Sequence, residues 1–196
     1  MNALTAFSGR NTKEMLRDPL NLAFGLGFPV VLLLLLTAIQ RNIPVNLFQL
    51  EYLTPGIAIF GLSFIALFSA TLISKDRTTS FLMRLFASPM RAGDYILGYT
   101  LPLIPMALSQ AILCYLVAGL LGMKLTANVL LAVVVTLPAA VFFIGIGLLC
   151  GSALNDKQVG GICGALLTNV SAWLSGTWFD LDLVGGAFKK ISYALP

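Results

Sequence analysis

The run PGIAIFGLSFIALFSATLIS, residues 55–74, contains no charged side chain and is followed directly by Lys75. A helix of about 20 apolar residues is long enough to cross the hydrocarbon core of a bilayer, which is about 30 Å thick. The run therefore predicts a membrane-spanning helix.

Four more charge-free runs have a comparable or greater length: residues 22–39, 95–123, 125–155 and 159–179. The chain is 58% hydrophobic and only 10% charged, whereas soluble domains carry roughly 25% charged residues. We expect one all-α domain over residues 1–196, a polytopic transmembrane helix bundle with five spans within residues 22–179. The longest runs should tilt or kink, the third at Pro102 and Pro105 and the fourth at Pro138.

Lysine and arginine are unevenly distributed between the two sides of this predicted bundle. One side carries eight of them: Arg10, Lys13, Arg17, Lys75, Arg77, Arg84, Arg91 and Lys157. The other side carries four. Because cytoplasmic loops are enriched in positive charge, we expect a cytoplasmic N-terminus in a bacterial plasma (inner) membrane. The tail, residues 180–196, would lie outside as short interfacial or re-entrant helices.

The N-terminal segment, residues 1–20, mixes polar and apolar residues. An interfacial helix would have an apolar side formed by Leu4, Phe7, Met15 and Leu16. The sequence Arg17-Asp18-Pro19 would end it, because the residue before a proline disfavours helix. A disordered leader is the alternative.

The most basic loop is KDRTTSFLMRLFASPMRAGD, residues 75–94. Asp76, Thr78 or Thr79 can cap a short helix, and Pro89 would end it. Its apolar face would consist of Phe81, Leu82, Leu85 and Phe86. About ten residues cannot span a bilayer, so this helix must lie on lipid headgroups or dock into a groove on a partner. Sequence alone leaves both readings open.

Several function classes lack their sequence signatures. No charged residue lies inside a predicted span, which argues against gradient-driven transport. The chain has no histidine and no phosphate-binding G-x-x-x-x-G-K-[ST] loop. We expect no catalytic residue, no metal site, no cofactor in this chain and no nucleic-acid partner. Cys114, Cys150 and Cys163 are best read as small buried apolar residues.

Small, polar and aromatic residues inside the spans leave alternatives open. Two GxxxG pairs, Gly147 with Gly151 and Gly160 with Gly164, suit close helix packing within the chain or at a dimer seam. Gln110 and Asn169 would either form hydrogen bonds across helices or line a substrate path. An aromatic stripe would either pack against lipid and helices or line a path for aromatic substrates; it consists of Phe60, Phe64 and Phe68.

The basic loop resembles the cytoplasmic coupling helix of ABC type-2 permeases, which follows the pattern Glu-x-x-x-Gly-Thr-x-x-x-Leu-x-x-(Ser/Thr)-Pro between the second and third spans. The matching residues are Asp76, Thr79, Leu85, Ser88 and Pro89. Asp76 replaces the glutamate, and Thr78 replaces the glycine. Residues 17–19, the Phe28-Pro29 pair, residues 175–179 and residues 191–196 resemble further family motifs. The family's sixth span would be absent.

The resemblance implies the membrane subunit of an ATP-driven exporter. A separate ABC ATPase would bind ATP and Mg²⁺, and two permease copies would pair around their first and fifth spans. The contacts with the ATPase would come from two groups of residues. Phe81, Leu85 and Phe86 would be the docking anchors in a groove on the ATPase. Arg77 and Arg84 would pair with acidic residues at the rims of that groove. The coupling group is Asp76, Arg77, Thr79, Phe81, Leu82, Arg84, Leu85, Phe86, Ser88 and Pro89; the connector group is Arg10, Lys13, Arg17 and Asp18.

Other positions are assigned to the dimer seam or the pathway: Gln110, Gly160, Gly164 and Asn169. The cargo would be amphipathic or lipid-like, such as a drug, lipid or glycan, because the spans are free of charge. Two rival functions remain at the level of sequence, a gradient-driven transporter or channel and a non-transporting membrane scaffold. In each case membrane lipid surrounds the chain.

Overall fold

A computed structural model describes residues 3–44, 46–79, 81–88 and 90–174, together with residues 178, 186, 187, 190 and 192. Its helices are α1 (Ala3–Leu16), α2 (Pro19–Asn42), α3 (Leu50–Thr78), α4 (Phe81–Phe86), α5 (Ala92–Leu120) and α6 (Ala127–Ala153), followed by α7, which comprises Asp156–Val159, Gly160–Leu167 and Thr168–Leu174. Within these residues all regular structure is helical. The predicted all-α class is therefore confirmed.

Four helices are long and apolar enough to cross a membrane, namely α2, α3, α5 and α6. They agree with four of the five predicted spans and define a multi-pass membrane protein. The fifth predicted span coincides with α7, which begins with the charged pair Asp156 and Lys157. Residues 175–177 and 179–185, which include the end of that predicted span, lie outside the described residues. So does most of the predicted outer segment, residues 180–196.

Helix α3 is the most buried helix among the four, with 72% of its most apolar stretch inside the protein. It packs against α2, α5, α6 and α7. Small residues allow the close approach between α3 and α6, because a Cβ atom at Gly147 would overlap the carbonyl oxygen of Ala66. A Cβ atom at Gly151 would overlap Ala70 and Ile73. This glycine pair therefore serves packing within the chain.

Two helices contain π-helical turns, in which one extra residue widens the helix. They are Ala23–Gly27 in α2 and Gly160–Leu167 in α7. The proline positions of the third and fourth predicted spans lie inside continuous helices, α5 and α6. Helix α3 contains 29 residues and is about 44 Å long at 1.5 Å per residue. The helix is therefore longer than a hydrocarbon core of about 30 Å.

Candidate functional site

The candidate site lies at the end of the bundle where α3 ends and α5 begins, which we call the basic end. Helices α1 and α4 pack here, and the turn between α6 and α7 lies here too. It brings together the eight lysines and arginines that the sequence places on one side: Arg10, Lys13, Arg17, Lys75, Arg77, Arg84, Arg91 and Lys157. The connector and coupling groups therefore occupy the same end of the molecule.

The short helix predicted from Asp76 to Pro89 is shorter in the structure. Helix α3 continues to Thr78, so Asp76 and Arg77 belong to its last turn and do not cap a separate helix. The chain leaves helical geometry at Thr79, whose Oγ1 accepts a hydrogen bond from the Phe81 amide at 3.4 Å. Helix α4 spans only Phe81–Phe86. At its end, Ser88 Oγ donates to the Leu85 carbonyl at 2.6 Å, and Pro89 lies outside the described residues.

Asp76 is the centre of a hydrogen-bonded network. Arg10 Nη1 donates to Asp76 Oδ2 at 2.6 Å, and Arg10 Nη2 donates to Asp76 Oδ1 at 2.7 Å. The Tyr99 hydroxyl donates to Asp76 Oδ2 at 2.7 Å. Asp76 is only 2% exposed, and a buried carboxylate needs such donors because burial removes its water. Asp76 therefore joins α1, α3 and α5.

Arg10 has three further partners, and to the first of them, Asn11 Oδ1, its Nη1 donates a hydrogen bond at 2.9 Å. Its guanidinium carbon lies 4.1 Å from the centre of the Phe81 ring, a cation–π contact with α4. Its Nη2 also lies 2.8 Å from Glu14 Oε2, one turn along α1. Burial lowers the pKa of Arg10, but its hydrogen bonds to Asp76 and the Asp76 and Glu14 charges outweigh burial and raise it overall. Arg10 is therefore cationic throughout the physiological pH range.

Helix α1 is docked onto α5 through Phe7, Asn11 and Met15, which recur every four residues and are all buried. The Phe7 ring makes an edge-on contact with Tyr99, with centroids 4.9 Å apart, and also meets Phe81 at 6.1 Å. Asn11 Nδ2 donates to the Gly98 carbonyl at 3.0 Å. A Cβ atom at Gly98 would overlap the Phe7 ring, so this glycine permits the docking.

These contacts give the predicted N-terminal helix a packing partner within the chain. It is a helix packed on α5, because burying Phe7 and Met15 removes apolar surface from water. A disordered leader is therefore wrong. Leu16, predicted on the apolar side, is exposed, and Leu4 is half-buried. The apolar side is centred on Asn11, a polar residue that periodicity alone does not select.

The two faces of α4 differ from the predicted ones. Phe81 and Leu85 are half-buried against the protein's own core, whereas Phe86 is 71% exposed and Met83 is 77% exposed. Of the three predicted anchors, only Phe86 is therefore largely available to a partner. Sequence reasoning missed Met83, although it lies three residues before Phe86 and on a helix these positions are neighbours.

The charged ends of the spans are tied together by side chains. Arg77 Nη1 donates to the carbonyls of Gly151 and Leu154 at 2.9 and 3.0 Å, so it satisfies acceptors left free at the end of α6. Ser74 Oγ donates to Asp156 Oδ1 at 2.8 Å. Arg77 is therefore partly engaged within the chain, but it is exposed, as Arg84 is, and the role of both on an acidic rim stays a prediction.

The remaining connector residues lie around the start of α2. Asp18 caps this helix by accepting hydrogen bonds from the Leu20 and Asn21 amides at 3.2 and 3.1 Å. Its Oδ2 also lies 3.9 Å from Lys75 Nζ. Lys13 and Arg17 are exposed. Together they leave a cationic outer surface on and just after α1.

The predicted intramembrane polar residues have different environments. Gln110 is fully buried, and its Nε2 lies 3.4 Å from the Ala58 carbonyl on α3, which confirms a bond across helices. Its Oε1 has no hydrogen-bond partner in the described part of the chain. Asn169 is exposed and donates to the Ala165 carbonyl on its own helix at 2.7 Å. Among the described residues, the bond found for Asn169 therefore lies within its own helix, and its predicted role stays a prediction.

The aromatic stripe on α3 packs against α2. Phe60 and Phe64 meet Phe28 with centroids 6.5 and 5.2 Å apart, and Phe68 is almost fully buried. Phe60 and Phe64 also border an open cleft of about 290 Å³ between α2, α3 and α7, together with Asn169. The stripe therefore packs between helices, and two of its rings border this cleft.

The second glycine pair differs from the first. A Cβ atom at Gly160 would meet nothing within 4 Å, and one at Gly164 would meet only the Leu67 side chain, at 3.5 Å. Gly160 is therefore open to the outside. Across the described residues, no group of three or more His, Cys, Asp or Glu side chains could hold a metal ion.

The fold and this network define a multi-pass helical membrane protein with a docked N-terminal helix and a short amphipathic helix at its basic end. Residues 2–196 match the profile of the ABC-2 type transporter family, and the chain belongs to that family. Such chains are membrane permease components of ABC transporters, not catalytic domains, and normally pair with an ATP-binding cassette subunit. No curated protein and no solved structure gave a significant match.

Proposed function

We infer that this chain is the transmembrane subunit of an ATP-driven exporter in a bacterial plasma membrane, with a cytoplasmic N-terminus and five spans. A separate ABC subunit binds ATP and Mg²⁺. The observation that supports this role most directly is the contact of Arg10 with both Asp76 and Phe81. Through it, the short helix α4 is connected to α1, α3 and α5.

The proposed mechanism begins at the exposed face of α4. Met83 and Phe86 insert into a groove on the ATPase, because exposed apolar side chains on an isolated helical turn gain most from such a pocket. Arg84, Lys13 and Arg17 provide cationic contacts at the edge of that interface. ATP-driven closure of the two ATPase subunits then displaces α4.

Displacement of α4 reaches the spans through packed contacts. Phe81 presses on Phe7 and Arg10, and Arg10 transmits the force to Asp76 at the end of α3 and, through Asp76, to Tyr99 on α5. These residues move as one unit because packed cores are not continuously deformable. Tilting of α3 and α5 then opens a path between the two permease copies.

The cargo in this proposal is amphipathic or lipid-like, a drug, lipid or glycan. Among the described residues, the cleft beside Phe60 and Phe64 is bordered by rings and by the Asn169 and Thr168 side chains, with no charged residue. Such a surface suits apolar or amphipathic molecules better than strongly charged ones.

The experiment that tests the coupling role is site-specific photo-crosslinking from Met83 in membranes that contain the permease and its ATPase. We expect an adduct with the ATPase from Met83 and from Phe86. The matched control is Tyr52, an exposed residue at the start of α3, from which no such adduct should form. Adducts that contain only phospholipid at both α4 positions would contradict the proposal. A transport assay on the same membranes separates the rival functions. Flux that needs an ion gradient but no ATP would favour a gradient-driven transporter. The absence of any flux would favour a scaffold.

We also propose that two copies of the chain, or this chain and a related one, pair with Gly160 and Gly164 at the seam. Gly160 is open to the outside, and small residues let helix backbones approach closely. In a chain whose native cysteines are replaced, Gly160→Cys should form a crosslinked homodimer, and Leu130→Cys on the exposed side of α6 should not. Monomer only at both positions would favour a heterodimer.

A further inference from the structure

An apolar groove of about 490 Å³ lies between α5 and α6 at the basic end and is separate from the cleft beside Phe60. Its walls include Ile73, Ile96, Phe142 and Leu149, and three of these four are largely exposed. Gly145 lies in its lining, and a Cβ atom there would meet nothing within 4 Å. The groove is therefore open and apolar.

Arg77 does not line the groove but lies next to residues that do, since Ile73, which lines it, is one turn before Arg77 on α3. Arg77 donates to the carbonyl of Gly151, and the next residue, Ser152, lines the groove. Tyr95, near the start of α5, lines the same groove. The groove is therefore apolar along its length. Polar groups lie at one end, namely the Tyr95 and Ser152 hydroxyls and the neighbouring Arg77 guanidinium.

Arg77 retains unused hydrogen-bonding capacity. A guanidinium has five N–H donors, and both bonds found for Arg77 come from Nη1. Within the described residues, Nη2 and Nε have no acceptor. The neighbouring acids are also engaged elsewhere, since Asp76 binds Arg10 and Tyr99 and Asp156 accepts from Ser74. Neither acid forms an ion pair with Arg77 in the part of the chain that the structure describes.

We propose that this groove binds a resident anionic phospholipid, with one acyl chain between α5 and α6 and the phosphate on Arg77. Arg77 follows the apolar part of α3 by a few residues, the level at which a long cationic side chain meets headgroups. Basic pockets between spans on the cytoplasmic side are suited to anionic headgroups. The groove is separate from the proposed α4 contacts with the ATPase and from the cleft beside Phe60, so this site goes beyond the proposed function.

The test uses the purified full-length permease without an ATPase, in lipid nanodiscs of phosphatidylcholine with or without phosphatidylglycerol. Native mass spectrometry after release from the nanodisc reports the retained lipids. We expect one phosphatidylglycerol to be retained in preference to phosphatidylcholine, and Arg77→Gln to reduce that retention about tenfold, the effect of losing a charge-assisted bond to phosphate. The matched control is Arg84→Gln, which also removes one positive charge at the basic end. This variant should retain the lipid as the unmodified permease does.

A second variant tests the acyl-chain part of the site. Gly145→Leu should place a side chain in the groove, starting from a Cβ atom that meets nothing within 4 Å, and reduce lipid retention comparably, while leaving Arg77 and its bonds to α6 intact. Val134→Leu, on an exposed part of α6, is the control for added bulk. This variant keeps the test decisive if Arg77→Gln weakens the end of α6. Equal retention by Gly145→Leu and Val134→Leu, or equal retention of the two lipids by the unmodified chain, would overturn the site.

Discussion

Arg10 and Asp76 form a two-point ion pair, with nitrogen–oxygen distances of 2.6 and 2.7 Å. The pair connects the N-terminal helix to the end of a span 66 residues away in sequence. Asp76 is almost completely buried, whereas the Arg10 side chain is 36% exposed. The carboxylate therefore depends on Arg10, while Arg10 can still be hydrated in part.

The first prediction concerns this ion pair. Arg10→Gln should destabilise the permease by about 3 kcal/mol, because it leaves a buried carboxylate without its cation. Asp76→Asn should have a smaller effect, and the double variant should lose less than the sum of the two. Unfolding of the detergent-solubilised chain measures the three values. Arg17→Gln, an exposed arginine just after α1, should change stability by less than about 0.5 kcal/mol.

Additive effects of the two substitutions would contradict a direct interaction.

The raised pKa of Arg10 sets a further expectation, on how stability depends on pH. A basic group whose pKa is raised by folding contributes stability that is lost only when the pH rises towards that pKa. Since the pKa of arginine is already far above neutrality, the contribution of Arg10 should be constant between pH 6 and pH 9, as approximate limits.

The second prediction concerns Tyr99. Tyr99→Phe removes the hydroxyl that donates to Asp76 at 2.7 Å but keeps the ring against Phe7. We expect a loss of about 1.5–3 kcal/mol in the free energy of unfolding, the range for a hydrogen bond to a charged group. The matched control is Tyr52→Phe at an exposed position, which should be nearly neutral. In an Asp76→Asn background, Tyr99→Phe should reduce the free energy of unfolding by less. An unchanged reduction would mean that the Tyr99 hydroxyl does not act through Asp76.

The third prediction separates docking on a partner from packing within the chain. Met83→Asp and Phe86→Asp should reduce ATP-driven transport strongly while leaving stability within about 0.5 kcal/mol, because both side chains are exposed. Phe81→Asp should reduce transport as well, but it should also destabilise the isolated permease. It removes the contacts with Phe7 and Arg10 and places a charge in their cluster.

Transport and thermal unfolding, measured on the same preparations, distinguish these cases. If the Met83→Asp and Phe86→Asp variants transported at the rate of the unmodified permease, α4 would not be the contact with the ATPase. If Phe81→Asp had full stability, Phe81 would not be the link between α4 and α1.

The spans could be predicted from sequence because span length and the absence of charge are local properties. Four apolar runs became helices near the expected bounds for this reason. The docking of α1 could not be predicted, because it depends on Asn11 meeting the Gly98 carbonyl, which is 87 residues away. A buried polar residue interrupts the apolar pattern that a periodicity argument follows.

The candidate site was predicted in its location and residue types more than in its geometry. The motif selected Asp76, and the apolar face of the predicted short helix selected Phe81, but the sequence did not show that α3 continues through Asp76. The continuation depends on tertiary contacts, since the last turn of α3 is bonded to Arg10 and to the end of α6. The predicted outer face of α4 was wrong in part for the same reason. Phe81, which was predicted to face a partner, packs against Phe7 of α1.

The fourth prediction concerns the packing of α3 on α6. A Cβ atom at Gly151 would meet the backbone of Ala70, which cannot move as a flexible side chain can. Gly151→Ala should therefore destabilise the bundle by about 1–3 kcal/mol, the usual cost of overpacking. Gly145→Ala on the same helix meets open space and should be neutral or slightly stabilising, because alanine favours helix. Unfolding in detergent measures both, and equal effects would mean that Gly151 does not set the distance between α3 and α6.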